Sequence, residues 1–531
     1  MGLLPGLLLL LGLGLAHPAL ASHLLGGEMT YRLLDANGLG SAPLRYEITV
    51  SIYNNCNANA AAPVSSVAIE IYSQATGAQV VLTSANYAGA ISGGRMVIGS
   101  PTSSTGCIQV PVPPGCTNSG AAQQPYDYRK FTGIVSLPRA AAGYYAYWTA
   151  SARNITISNL ASPNTASLVL YTALAPETYA NHSPVFATDA VAVVCANDTT
   201  TLLNNAVDAD GDRLEYSFGP AYGVYGNATY PGSFTAPGAT LTYAAGYAAA
   251  APLGAAPNSA SINASTGISK FYATVLGAQY VVAVDVKEYR RINGVDVLLG
   301  ITRRDLQLVV GTCPPTAPPV LPTAGGSSTP IPRNFTVEVG NTLTIPITTI
   351  QTGGHDLDMT ATSVLLDGAG GYNATFAGNP GTPTYAGSPI GSTTISGTGG
   401  TVSGTFVYAP GCNEARTTPY DITLTVFDKG CGGKTTADVL HITVTKPTGP
   451  TAIAGDAAIC GLNTTRSYAA SGGTAPTINW RLSGGGSFVG GNPANPVQVL
   501  WTTAGTYTLT ARGVSQYGCF TDSVTKTVVV S

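Results

Sequence analysis

Apolar and polar residues trade places one for one along this chain, and a period of two leaves little but β-structure open. Tyr46, Ile48, Val50 and Ile52 alternate with Arg45, Glu47, Thr49 and Ser51. Tyr280, Val282, Val284 and Val286 alternate with Val281, Ala283, Asp285 and Lys287, and Tyr420, Ile422, Leu424 and Val426 with Asp421, Thr423 and Thr425. Successive side chains of a strand point to opposite faces, so this pattern marks half-buried antiparallel strands. No window of a dozen residues carries a convincing 3.6 period. Composition closes the helical alternative: charged residues are 9% of the 531, against 64 Gly and 36 Pro. Helices need more Lys, Glu and Arg than that to keep their outer faces wet. Hydrophobic residues reach 44%, too many for disorder. The expected fold is all-β: tandem immunoglobulin-like or cadherin-like β-sandwich modules joined by Pro/Gly-rich linkers.

At roughly 150 residues per domain the length fits three or four such modules. The clearest boundary is CPPTAPPVLPTAGGSSTPIP, from Cys313 to Pro332, whose prolines make a semi-rigid spacer. Others fall at Lys446-Pro447-Thr448-Gly449-Pro450 and Asn181-His182-Ser183-Pro184. The modules are therefore expected at 22–180, 181–314, 332–447 and 448–531, with 315–331 as linker. The second and third look like distant repeats, each with an acidic cluster (Asp208–Asp212, and His355-Asp356-Leu357-Asp358) and a closing hairpin. In the second, Asn293-Gly294 is the strongest short-range turn signal.

Residues 2–16 form an apolar run ending near Ala19-Leu20-Ala21, which predicts a signal peptide at 1–21 and a mature chain from Ser22. The run is shorter than the ~20 residues a membrane span needs, and no later stretch approaches that length. The expectation is a secreted or outer-surface protein with no membrane span after cleavage. Lys+Arg 23 against Asp+Glu 26 gives 23 − 26 = −3, with no dense basic block. Nothing in that charge recruits nucleic acid or an anionic membrane.

Nine cysteines in an exported chain predict disulfides, and none of their spacings is the CxxC of a zinc site. Pairing within modules gives Cys195–Cys313, Cys412–Cys431 and Cys460–Cys519. Cys56, Cys107 and Cys116 then compete for one bond, with Cys107–Cys116 favoured by proximity.

The most site-like feature is Asp208-Ala209-Asp210-Gly211-Asp212. Alternating carboxylates suit Ca²⁺, which takes six to eight oxygens. An EF-hand is excluded, because no Glu completes that loop. A cadherin-like site of Asp208, Asp210 and Asp212, completed by Asp285 or backbone carbonyls, is one reading. A solvated Asx turn before Arg213–Phe218 is the other, and both stay open. Across the hairpin, facing residue numbers sum to about 587, placing Arg304 opposite Ala283 and diagonal to Asp285. A cross-strand ion pair thus rivals a ligand role for Asp285. Arg290 and Arg291 read as exposed charge. Tyr144-Tyr145-Ala146-Tyr147-Trp148 suggests a sugar-stacking platform, but sandwich core is favoured. Histidines His23, His182, His355 and His441 lie in different modules or at their edges, and no GxSxG, HExxH or P-loop pattern occurs, so no enzyme is expected.

Ser22-His23-Leu24-Leu25-Gly26-Gly27-Glu28, followed by Leu44–Tyr53 (LRYEITVSIY), resembles the start of large secreted proteins of gliding, type IX-secreting bacteria. Arg153-Asn154-Ile155, Asn181–Phe186, Asp208–Asp212 and the hairpin from Glu288-Tyr289-Arg290 to Arg303-Arg304-Asp305 extend the resemblance over about 22–313. Gly411-Cys412 and Phe427–Cys431 add to it. Residues 448–531, with Trp480, Trp501 and Gly505–Thr510, resemble a PKD-type immunoglobulin-like module, without its aspartate-rich, Trp-containing turn. The resemblance implies a surface protein with a C-terminal sorting domain; the sequence given ends at Ser531, straight after a strand. Adhesion or structure, with other surface proteins or extracellular polysaccharide as partners, is the expected role. Carbohydrate capture is the alternative.

Overall fold

The computed structural model describes residues 24–531 apart from 39, 58–59, 109–123, 189–190, 314–316, 321–329, 384–389, 431–433 and 492–493. The expected signal segment 1–21, most of the linker 315–331, Cys116 and Cys431 lie outside the described residues. Every regular element among the described residues is a strand, save one 3-10 turn at Pro163–Thr165. The fold is all-β, of several sheets in tandem. The chain divides into two compact units, Met1–Pro319 with Gln351–Asp356 and Val426–Ala437, and Val320–Ile350 with Leu357–Thr425 and Asp438–Ser531.

In the first unit an eight-stranded sheet crosses the boundary expected at 180/181. Its order is Arg213–Gly219, Gln279–Ile292, Val295–Gly311, Leu24–Asp35, Leu44–Asn55, Tyr126–Leu137 and Ser103–Ile108, with Val191–Cys195 added parallel to Val295–Gly311. The junction is Leu24–Asp35, where Glu28 pairs with Arg304 on one side and Ser51 on the other. Gly26 explains how the strands come so close: a Cβ there would lie 2.2 Å from the Asp305 carbonyl oxygen. Strands assigned to 22–180 and to 181–314 therefore share one hydrogen-bonded sheet. A second, five-stranded sheet (Ala90–Ser92, Arg95–Ile98, Val67–Ser73, Tyr144–Ala150, Leu168–Leu174) buries Ile69, Ile71, Ala146, Trp148 and Leu170 with Met29, Ile48, Val50, Ile52 and Phe131 of the first.

The hairpin turns at Asn293 (φ 51) and Gly294 (φ 82), both in the left-handed region that a type I′ turn requires. A bulge between Glu288 and Tyr289 then changes the expected register. Beyond it the facing numbers sum to 588, so Arg303, not Arg304, stands opposite Asp285. Arg303 bonds Asp285 at 2.7 Å and lies 3.8 Å over the Tyr222 ring. Arg304 reaches Glu28 at 2.6 Å and lies 4.1 Å over Phe186. Arg153 forks onto both Asp305 oxygens at 2.7 Å. All three guanidinium groups are buried.

Residues 332–447 hold a six-stranded and a three-stranded sheet, and 448–531 two four-stranded sheets. Trp480 and Trp501 are fully buried there beside Leu509, and Trp480 Nε1 donates to the Ala494 carbonyl. One topological detail recurs: Val191–Cys195, Asn334–Glu338 and Ala458–Ile459 each run parallel to the last long strand of their module.

Cys195–Cys313 is a disulfide. The expected Cys460–Cys519 is not: Cys519 bonds Cys412, and Cys460 is an exposed free thiol. The strand that begins just after Cys519, Phe520–Val530, ends at Val530, and it is there that Ala458–Ile459 pairs. Eleven strand residues at ~3.3 Å each put Cys460 roughly 35 Å from Cys519. The turn before Cys519 instead lies against Gly340, whose amide bonds Pro410, two residues before Cys412. Cys412–Cys431 is thereby replaced as well. Cys107 is placed against Cys56, whose thiol is pushed up to about 12 by burial and then by Cys107.

Candidate metal centre

The acidic loop follows the short strand Ala206–Val207 and precedes Arg213–Gly219. Asp208 Oδ1 accepts the Asp212 amide at 2.8 Å, the Asx bond expected of this composition. The fourth carboxylate is Glu288, and Asp285 takes no part. Both sit on Gln279–Ile292, but side chains of a strand alternate faces. Val282, Val284 and Val286 are core residues on one face, and the same parity carries Glu288 and then Arg290 toward the loop. Asp285 points to the other face, where Arg303 holds it. The alternation already visible in the sequence contained this: at Glu288 it demands an apolar residue and finds a carboxylate.

One carboxylate oxygen from each of Asp208, Asp210, Asp212 and Glu288 lies within 4.8 Å of all the others. Ca²⁺ coordinates oxygens at about 2.3–2.6 Å, so ligands across one ion are separated by about that span. Asp208 is 6% exposed and Glu288 1%. Asp208 Oδ2 and Glu288 Oε1 are buried with no hydrogen-bond partner. Burial, then the charge of Asp212, pushes the Asp208 carboxyl up to about 7. Burial, then Asp208, raises Glu288 well above the carboxylate range. Orphaned buried oxygens are costly unless protonated or met by a cation. The donor set is all hard oxygen, which suits Ca²⁺ better than a soft metal.

Two basic groups reach the cluster from the side. Arg290 grips Asp212 through Nε at 2.8 Å and Nη2 at 2.6 Å, correcting its expected place as mere exposed charge. His182 donates its amide to Asp210 at 2.7 Å and sets Nδ1 2.9 Å from the same carboxylate. The Asp210 hydrogen bond raises the His182 pKa above its usual value. A raised histidine stabilises the fold below its unfolded value of about 6.5 and loses that contribution as pH rises through the folded one. An NMR titration should find His182 midway above 6.5, and Asp210→Asn should return it there. An unmoved midpoint in Asp210→Asn would refute the coupling.

The corresponding cluster of the third module does not assemble: Asp428 takes His355 at 2.9 Å, and Ser396 donates to Asp358 at 2.6 Å. The aromatic run is covered. Tyr144 and Trp148 belong to the main core, while Tyr147 and Tyr145 join Tyr72, Tyr171 and Phe234 in a second cluster.

No family model matches the chain, and no curated protein matches it. Among solved structures it is similar to Drosophila N-cadherin EC1-4 at 13% identity, over 87% of this chain and 97% of that one, with a TM-score of 0.19. The insect immune protein hemolin aligns at 12% identity over 80% and 92%, TM-score 0.23. The human desmocollin-1 ectodomain aligns at 10% over 79% and 91%, TM-score 0.18. Superpositions this loose say nothing about what the chain binds. No helix among the described residues is long and apolar enough to cross a membrane, which leaves β-barrels unaddressed.

Proposed function

We propose that the chain is an exported, non-catalytic cell-surface or extracellular protein with an adhesive or structural role, akin to the secreted proteins of type IX-secreting bacteria. The observation that carries this reading is mechanical. The expected first and second modules are fused through one sheet and buried ion pairs, and the last two are bridged by Cys412–Cys519. Two disulfides suit an oxidising, extracellular setting. Such a body displays surfaces and resists pulling. Its partner is then another surface protein. Calcium held by Asp208, Asp210, Asp212 and Glu288 would stiffen the first unit.

The test is a thermal melt of the mature full chain with excess CaCl₂ and with chelator, alongside bead adhesion to cells under both conditions. Residues 181–314 are unsuitable alone, because their sheet needs Leu24–Asp35. Binding to the folded state only should stabilise it by about 2.7 kcal/mol at a hundredfold excess over Kd. Asp208→Asn should remove that gain. A melting point indifferent to calcium would rule out the ion, and absent adhesion in either buffer would rule out the role.

A further inference from the structure

The acidic pocket already holds a cation on a tether. Arg290 places Nε and Nη2 on Asp212, and the same Nη2 lies 3.6 Å from Asp210. Its remaining hydrogen bonds go to groups outside the four carboxylates. Nη2 also donates to Asn181 Oδ1 at 2.6 Å, and Nη1 to the Ala180 carbonyl at 2.8 Å. A guanidinium offers five N–H donors in a fixed plane. Four of them are engaged in these bonds, and the buried oxygens Asp208 Oδ2 and Glu288 Oε1 meet no donor. Arg290 thus neutralises Asp212 and approaches Asp210, while Asp208 Oδ2 and Glu288 Oε1 stay without a donor.

We infer that Arg290 and a divalent cation compete for Asp212 and Asp210, so that ion binding loosens the guanidinium from Ala180 and Asn181. This rests on the calcium reading above and adds its regulation. An ion seated among four oxygens that lie within 4.8 Å of one another brings two positive charges close to the guanidinium. Repulsion at such range is worth several-fold to many-fold in affinity even when strongly screened. The residues released are not peripheral. Asn181 donates to the Tyr31 hydroxyl at 2.9 Å, and that hydroxyl also accepts the Ala175 amide at 3.0 Å. The ion is thereby linked to the crossover that follows Leu168–Leu174 and to the strand Leu24–Asp35. Calcium would act there as a key that trades one set of contacts for another.

The experiment is calorimetric titration of CaCl₂ into the mature full chain, compared with Arg290→Met and Arg290→Lys. Arg290→Met should bind calcium at least about tenfold more tightly, because the competing charge is gone. Arg290→Lys keeps the charge but loses the fork, and should fall between the two. It also serves if Arg290→Met does not fold. Binding by the variants and none by the native chain would support the competition in its strongest form. Native binding with unchanged or weaker binding by the variants would overturn the competition and leave the calcium site standing. No binding by any of the three would overturn both.

Discussion

Asp305→Ala should destabilise the first unit by about 3–5 kcal/mol, the typical cost of removing one partner from a buried ion pair. The Arg153 and Asp305 side chains are 2% and 0% exposed, joined by two 2.7 Å bonds. Removing the carboxylate leaves a guanidinium that cannot deprotonate in a site closed to water. Arg153 would keep only the carbonyls of Ser167 and Tyr222. The double variant Arg153→Met/Asp305→Leu should recover much of the loss, since matched apolar groups often replace such pairs at little cost. It should not recover all, because those two carbonyls then lose their donor. Urea midpoints of the native chain, both single variants and the double variant decide the matter. A loss below about 1 kcal/mol for Asp305→Ala would mean that water reaches the pair, as at an exposed salt bridge.

The second large effect lies in the other unit. Cys412→Ser should cost that unit about 2–5 kcal/mol, the usual range for losing a native disulfide. The bond closes a loop of 107 residues, a length at which chain entropy favours the cross-link strongly. The same loss should follow reduction of the native chain. Peptide mapping without reduction should recover Cys412–Cys519 and Cys195–Cys313, with Cys460 alkylated in the folded protein. A Cys460–Cys519 peptide would contradict the strand arrangement itself, since Cys519 precedes Phe520–Val530 while Cys460 follows Ile459, which pairs at its far end.

Strand content was legible because period-two alternation acts locally and each strand carries its own copy of the signal. The turn at Asn293-Gly294 was legible for the same reason. Register was less so: a single extra residue near Leu299 moved Arg303 onto Asp285 and freed Arg304 for Glu28. Asp208, Asp210 and Asp212 are neighbours in sequence, so their grouping could be anticipated. Glu288 comes from a strand 76 to 80 positions further on, and only strict extension of the Val282–Val286 face would have flagged it. The disulfide partner of Cys412 depended on how the third and fourth modules meet, which no local pattern records.

The position of Leu24–Asp35 bears on how the chain is made. This strand precedes every other strand of its sheet in sequence, yet it ends up in the middle of it. Glu28 finds Arg304 across 276 residues of sequence. During synthesis or passage through a pore from the N-terminus, one edge of that strand has no neighbour until nearly three hundred further residues have followed. Long-range pairing of this kind folds slowly, and an unpaired strand edge is a template for wrong partners. Leu44–Asn55 can cover one side early, because it follows within a few residues. The other side must wait. The first unit is therefore suited to completing its fold only once Val295–Gly311 has arrived, with Leu24–Asp35 shielded until then.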